Sequence, residues 1–388
     1  MTEIACLEKM LTEHIGNRYA VALSCGSAAL HLAVKLAAEK AYGNTDDSCG
    51  LLKGKQVFVP NLADQAVANA VMYEGGEPVF IDASPETWGI DPEVLETAFD
   101  SFPEVKIVIA SHVYGFPCQI DEIREICDFH GAVLIEDARE ALGAKLNGKM
   151  VGSFGDYGVL SFGNSRIVDA GGGGALLTDD EYSMERARSL AIGKRIDFPL
   201  SDEEIGYNYV MSPLVAKTAA EKMETLDENI EKRRQVYETY AEKFPDYLVE
   251  LNPIVEGTEP NFAQIAMTVE SDICFEEERT GDGYSYASVH GTAAPMQIME
   301  TLCRKGLEAK PVYQPLSSQS IFECYEDVTL DGVRSEYEFA DNADFIVRAD
   351  ESADIWKKGL CLPMEIGKID EVVKTVIECF DEEVVSTI

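Results

Sequence analysis

The sequence predicts an α/β protein with a large domain on a mainly parallel sheet, followed by a smaller α+β domain. Short apolar runs alternate with helical stretches through the first half, which is the pattern of βαβ units. Two of those runs end in carboxylates, Asp82 and Asp137, at the strand ends where ligands gather in parallel sheets. After Ile205 the texture changes to a long charged helical stretch and then to mixed elements. The boundary is expected near residue 240, giving domains 1–240 and 241–388.

The elements follow in order. A helix is expected over Ile4 to His14, and Ala28 to Ala38 is a strong helix former with little punctuation. Gln56 to Pro60, Pro78 to Asp82, Lys106 to Ala110 and Ala132 to Asp137 read as buried strands, with a helix over Ile120 to His130 between the last two. Leu214 to Tyr240 reads as one long helix. Beyond it come a strand (Phe262 to Val269), a loop rich in Gly and Tyr (Thr280 to Tyr286), a helix (Pro295 to Gly306) and a final helix (Asp370 to Glu382).

Composition narrows the function classes. The chain has 388 residues and a formal net charge of −38, from 70 acidic and 32 basic residues. That balance argues against nucleic-acid binding, which needs a basic footprint to displace counterions, and against docking on anionic membranes. No run approaches a membrane span, and Met1 to Leu11 lacks a signal peptide's apolar stretch. The ten cysteines form no C-x-x-C pair, so neither a zinc site nor a thioredoxin-type motif is indicated. A cytoplasmic protein with reduced, mostly buried thiols is expected, and no metal site.

Three stretches carry candidate chemistry. Ser24 to Leu30 sets a small-residue turn before the strong helix, where free backbone N–H groups attract an anion such as phosphate; a plain cap is the alternative. Leu134-Ile135-Glu136-Asp137-Ala138 ends a strand with two carboxylates, one of which could hold a protonated heterocyclic nitrogen or cap a following helix. Gly152 to Phe162 leads through Gly163-Asn164-Ser165-Arg166 into four glycines, Gly171 to Gly174, which read as tightly packed backbone or as a mobile loop.

In this order the motifs resemble the DegT/DnrJ/StrS family of nucleotide-sugar aminotransferases. The other landmarks are Asn69-Ala70-Val71, Trp88, Asp91-Pro92, His112-Val113-Tyr114-Gly115, Gly206-Tyr207-Asn208-Tyr209 and Gly359 to Pro363. The resemblance implies an aspartate-aminotransferase-like fold (pyridoxal phosphate fold type I) with a mainly parallel, mixed seven-stranded sheet. It implies pyridoxal phosphate or pyridoxamine phosphate as cofactor, and amino transfer from glutamate to a 4-keto nucleotide sugar. Gly26, Ser27 and Ser161 match phosphate-binding positions, Asp137 the partner of the pyridine nitrogen, and Glu140 a residue near the ring. Asn208 matches a residue that reaches the phosphate of the neighbouring subunit, so a homodimer is implied. His112, Tyr114, Lys310 and Tyr313 stand at substrate-side positions. For His112 a packed, hydrogen-bonded histidine is an equal reading.

The departures cluster on the same pocket. Arg166 stands where the family has its Schiff-base lysine. A guanidinium stays protonated at accessible pH, with a pKa above about 12, and so neither forms that imine nor moves a proton as a base tuned near the operating pH. Asp64 stands at the ring-stacking position, Val210 replaces an Arg, and Ser317 stands where a His is usual. The family's segment preceding the first helix also reads as missing. Two readings stay open: an aminotransferase whose lysine role is taken by another residue, with Lys145, Lys149 and Lys194 nearest in sequence, or a catalytically silent homologue. The second would bind a phosphate or nucleotide-sugar ligand, or an active paralogue. A third, pyridoxamine-phosphate chemistry of the deoxygenating kind, needs a better base than arginine.

Overall fold

In the computed structural model, the described residues are 2–43, 50–193, 206–269, 277–280, 283–286, 295–322, 324–334 and 350–381. The chain divides into two compact units. The first comprises Met1–Ile230, Ile254–Ala263 and Pro315–Ser352, and the second Glu231–Pro253, Gln264–Gln314 and Ala353–Ile388.

The first unit is built on one mixed sheet. Its strands are β1 (Tyr19–Leu23), β2 (Gln56–Pro60), β3 (Glu77–Ile81), β4 (Ile107–Ser111), β5 (Val133–Asp137), β6 (Tyr157–Ser161), β7 (Gly174–Thr178), β8 (Asp327–Thr329) and β9 (Gly332–Arg334). Their order across the sheet is β1-β7-β6-β5-β4-β2-β3-β8-β9. The run from β6 to β8 is parallel, and β1, β7 and β9 pair antiparallel to their neighbours. The first seven strands are the sheet the sequence implies. The β8–β9 hairpin extends it to nine by covering the edge of β3, where the Phe80 and Asp82 amides donate to the Glu326 and Val328 carbonyls at 2.9 and 3.0 Å.

Helices cover both faces. Helix α1 (Glu3–Ile15) starts at Thr2, whose hydroxyl accepts from the Ala5 amide, and it buries Leu7, Leu11 and Ile15. Helix α2 (Gly26–Tyr42) is buried along almost its whole circumference, so it is apolar on all sides rather than striped. Its buried polar side chains His31 and Lys35 both meet Glu74, the imidazole at 2.9 Å and the ammonium at 3.5 Å. Helices α3 (Ala66–Tyr73), α4 (Pro92–Ser101), α5 (Ile120–His130) and α6 (Glu181–Ile192) complete the crossovers and sheet covers. The expected long helix is two, α7 (Pro213–Met223) and α8 (Leu226–Lys243). The break falls at Thr225, whose amide and hydroxyl both turn back to the Lys222 carbonyl.

The division near residue 240 also shifts. Leu226 and Ile230 of α8 lie in the first unit's core, while Val236 and Tyr240 lie in the second's. The contact division therefore falls at residue 230, within α8. Residues 254–263 and 315–352 return to the first unit, because 327–329 pair with β3 and Asn261 is buried against the turn after β5.

The second unit holds an antiparallel sheet ordered Val249–Leu251, Ala266–Val269, Gly359–Cys361, Lys310–Pro311. Helices α9 (Pro295–Arg304), α10 (Glu351–Lys358) and α11 (Ile369–Asp381) follow α8 in sequence, and α10 begins in the first unit. The stretch read as a loop over 280–286 pairs as a hairpin, Glu277–Thr280 with Gly283–Tyr286, with residues 281 and 282 outside the described set. Of the eight described cysteines, Cys118, Cys127, Cys361 and Cys379 are buried, but Cys6, Cys25, Cys303 and Cys324 are exposed.

Candidate active site

The parallel strands bring Ser111, Asp137 and Ser161 to one end of the sheet, as the carboxyl ends of β4, β5 and β6. Ser111 and Asp137 face each other in register, and the Ser111 hydroxyl donates to Asp137 Oδ2 at 3.1 Å. Asp137 caps no helix. The turn after it returns the Arg139 amide to Asp137 Oδ1 at 3.2 Å.

Arg139 is the residue that sequence reasoning missed. Its Nε donates to Asp137 Oδ1 at 2.7 Å and its Nη2 to Oδ2 at 2.8 Å, a bidentate buried pair. Both side chains are 6% exposed. Arg139 Nη1 reaches Asp64 Oδ1 at 3.4 Å, and the same Asp64 oxygen accepts from the Ala66 amide at 3.0 Å. Burial pushes the Asp137 pKa up, but Arg139 charge and hydrogen bonds outweigh it and hold the carboxyl below its ordinary value. Burial disfavours the Arg139 cation too, and Asp137, Asp64 and Glu140 together keep it charged. The available signal was a cation two residues past a strand-end carboxylate, across a tight turn.

A second pair lies beside the first. Arg166 Nη1 donates to Glu140 Oε1, and Glu140 Oε2 accepts from the Tyr114 amide at 2.9 Å. Tyr114 is buried, in the left-handed region at φ 58°. The turn carrying Arg139 and Glu140 is fixed from behind by the fully buried Asn261, whose Nδ2 donates to the Glu140 and Leu142 carbonyls at 2.8 and 2.9 Å. Asn261 also escaped the sequence reading, since nothing local marks it.

The anion-attracting end is the start of α2. Cys25 is the N-cap, with its sulfur accepting from the Ala28 amide. Gly26 is buried and Ser27 exposed. A Cβ on Gly26 would lie 2.8 Å from Ser161 Cβ and 3.0 Å from both Ser161 Oγ and Arg139 Cδ, so glycine is required by close approach. Gly174 is equally constrained, since its Cβ would fall 2.6 Å from the Cys25 carbonyl carbon and the Gly26 nitrogen. At least at Gly173 and Gly174, the four-glycine run is packed backbone: Gly173 bridges to Cys25 and Gly174 begins β7. Asn208 is exposed between Tyr207 and Tyr209, whose rings stack with centroids 5.0 Å apart.

Glu136 and His112 form a separate, fully buried network. Glu136 accepts from the Gly152 amide, from Phe154 and Gly155 at 2.8 and 3.1 Å, and from His112 Nε2 at 2.9 Å. His112 Nδ1 accepts from the Cys118 amide at 3.1 Å. Both ring nitrogens are thus committed, with the proton on Nε2, and the packed histidine is what the structure contains.

Lys310 and Tyr313 belong to the second unit, where Lys310 is exposed and pairs with Cys361 in the sheet. Lys145 pairs with Glu259 at 3.1 Å, Lys149 sits 4.0 Å over the Phe154 ring, and Lys194 lies outside the described residues. Among the described residues no group of three or more His, Cys, Asp or Glu is placed to hold a metal, and no helix is long and apolar enough to cross a membrane.

A parallel-sheet site at these strand ends, with a glycine-cradled helix start, a strand-end aspartate and the 161–174 turn, defines the architecture of the fold-type-I sugar aminotransferases. The chain belongs to the DegT/DnrJ/EryC1/StrS aminotransferase family, whose model matches residues 2–381. EpsN of Bacillus subtilis (strain 168), assigned as a pyridoxal phosphate-dependent aminotransferase, is 31% identical over 96% of this chain and 85% of its own. GDP-perosamine synthase of Caulobacter vibrioides is 31% identical over 80% of this chain and 76% of its own. The crystal structure of a DegT DnrJ EryC1 StrS aminotransferase from Brucella abortus superposes with a TM-score of 0.79 at 22% identity, covering 98% of this chain and 91% of that one. The family includes nucleotide-sugar aminotransferases, and solved structures of sugar aminotransferases hold pyridoxal phosphate or pyridoxamine phosphate.

The residues present fit part of that cofactor. The start of α2 and Ser161 suit a phosphate. The cofactor's ring and imine find less: both Asp137 oxygens are taken by Arg139, the Asp64 carboxylate offers no ring face, and the Arg166 guanidinium offers no neutral amine.

Proposed function

We propose that this chain is a member of the family that does not transaminate and that keeps the anion-binding end of the site for a phosphorylated ligand of the nucleotide-sugar type. The observation that supports this is the ion pair of Arg166 with Glu140, Arg166 being the residue that the resemblance matches to the Schiff-base lysine. A guanidinium supplies charge and directed N–H groups but no nucleophilic nitrogen at accessible pH. Gly26 and Ser27 at the start of α2, with Ser161 packed on Gly26, support retention of a phosphate seat. The site of this reading is completed by a second subunit that brings Asn208, in a homodimer or in a mixed dimer with an active paralogue. A cytoplasmic location belongs to the same reading and is supported by the free thiols.

The test is a spectrophotometric titration of the purified protein with pyridoxal phosphate, followed by borohydride reduction and mass analysis. The expected result is no imine band and no adduct on any lysine. A saturable band with a reduced lysine adduct overturns the proposal.

A further inference from the structure

We propose that Arg139 is a built-in occupant of the ring position: its guanidinium, held between Asp64 and Asp137, closes the place where a cofactor ring would lie, whatever residue stands at 166. The inference rests on the reading of the site given above and deepens it.

Four observations converge on this residue. First, Nε and Nη2 take one oxygen each of Asp137. A protonated ring nitrogen needs one of those oxygens, so ring and guanidinium compete for the same acceptor. Second, Nη1 points to Asp64, the residue at the ring-stacking position. A carboxylate there offers no face for a ring but is a suitable second partner for a cation. Third, Arg139 Cδ lies 3.0 Å from where a Gly26 Cβ would be, and Ser161 Oγ is at the same distance from that point. The side chain thus runs from the anion-binding turn to Asp137, across the space between them. Fourth, the group is buried and its charge is fully partnered. A planar guanidinium with fork geometry is pre-organised for a bidentate carboxylate and surrenders little freedom in holding it.

The chemistry that results is a site with its own resident cation. Asp137 keeps the positive partner its burial demands, so the pocket does not depend on a bound heterocycle to neutralise it. What remains open to ligands is the start of α2, where an anion meets backbone N–H groups. The site should therefore exclude pyridoxal and pyridoxamine phosphates while the phosphate-binding turn stays intact.

The test uses the full-length chain and four forms: wild type, R166K, R139A and the R139A/R166K double variant, each checked by circular dichroism. The probes are pyridoxal phosphate, read by its imine band and borohydride adduct, and pyridoxamine phosphate, read by calorimetry and by the shift it causes in Tm. R166K alone is expected to stay colourless, because the restored lysine faces a closed ring position. R139A is expected to bind pyridoxamine phosphate at least about tenfold more tightly than wild type, with a matching rise in Tm. The double variant is expected to turn yellow and carry the adduct on residue 166.

An imine band in R166K as strong as in the double variant overturns the inference. So does a folded R139A that gains no affinity, or a folded double variant that stays colourless. If loss of Arg139 prevents folding, R166K decides alone, since it leaves the Asp64–Arg139–Asp137 array intact. A lysine adduct in wild type would defeat the proposed function itself, whereas an adduct confined to R166K defeats only the role of Arg139.

Discussion

Replacing Glu136 with Gln isolates the structural carboxylate beside Asp137. Glu136 is completely buried and faces four donors, two on each oxygen: the Gly152 amide and His112 Nε2 on Oε1, and the Phe154 and Gly155 amides on Oε2. A glutamine keeps one acceptor oxygen and turns an NH2 group toward the other pair. Whichever way the amide lies, two buried N–H donors meet another donor. His112 offers no escape by changing tautomer, because its Nδ1 already accepts from the Cys118 amide. Each orphaned donor costs about 2 kcal/mol, so the substitution should cost about 4 kcal/mol, close to the range for breaking a buried charged pair. The assay is urea unfolding followed by circular dichroism, read on the first unit's transition, with hydrogen exchange at the three loop amides as the local probe. A loss below about 1 kcal/mol, with the amides of residues 152, 154 and 155 still protected, would refute the reasoning.

Two further predictions follow from the same geometry. Gly26→Ala should lower stability by about 1–3 kcal/mol, the usual cost of overpacking, because the new Cβ would lie 2.8 Å from Ser161 Cβ; thermal unfolding and inorganic phosphate binding measure it, and an unchanged Tm with unchanged phosphate affinity counts against a close-packed turn. Glu74 accepts from His31 and Tyr207 at 2.9 and 3.2 Å and lies 3.5 Å from the Lys35 ammonium. Burial raises its pKa, but these partners hold it below the ordinary value of 4.5. Its contribution is therefore complete above the unfolded-state value and is lost as pH falls through the lower folded-state value. Glu74→Gln should cost about 3–5 kcal/mol near neutral pH and should flatten the acid limb of the stability–pH curve; an acid limb identical to that of wild type sinks the assignment.

The parts of the fold that could be read from sequence are those whose signal is local. Phe58, Val79, Val108 and Leu134 lie in short apolar runs because both faces of a parallel sheet are buried, and that is visible in composition alone. The β8–β9 hairpin is not, since three residues on each side of a turn carry no periodicity and their place beside β3 is decided by the sheet edge they cover. The break between α7 and α8 hangs on a single threonine within an otherwise helical pattern. In the site, Gly26, Asp137 and Ser161 were legible because each sits at a fixed offset in a motif. The turn beside Asp137 is fixed by Arg139 and Asn261, which act through contacts spanning two residues in one case and about 120 in the other. Only the first leaves a trace in sequence, and a lone arginine after a strand-end aspartate acquires meaning only when its guanidinium is seen on both carboxylate oxygens.

The charged groups at 64, 137, 139, 140 and 166 make more sense together than singly. Asp64 alone would place an anion near the buried Asp137 with nothing between them to offset the repulsion. Arg139 alone would place its third nitrogen without a partner, since Asp137 uses only two. With both present, the guanidinium is partnered on Nε, Nη1 and Nη2. Arg166 in turn needs Glu140, and Glu140 is held by the Tyr114 amide on its other oxygen. Three carboxylates and two guanidiniums thus leave this cluster with one net negative charge, carried in part by the half-exposed Asp64, where water screens it. A pocket that had merely lost its lysine would keep the remaining ring contacts. Here Asp64 and Asp137, the ring-side residues of the proposed reading, are both committed to the Arg139 cation, which is the pattern expected of a pocket stabilised for a different occupant. The R166K variant separates these cases, because a single restored lysine is enough for a pocket that lost only its lysine and insufficient for one closed by Arg139.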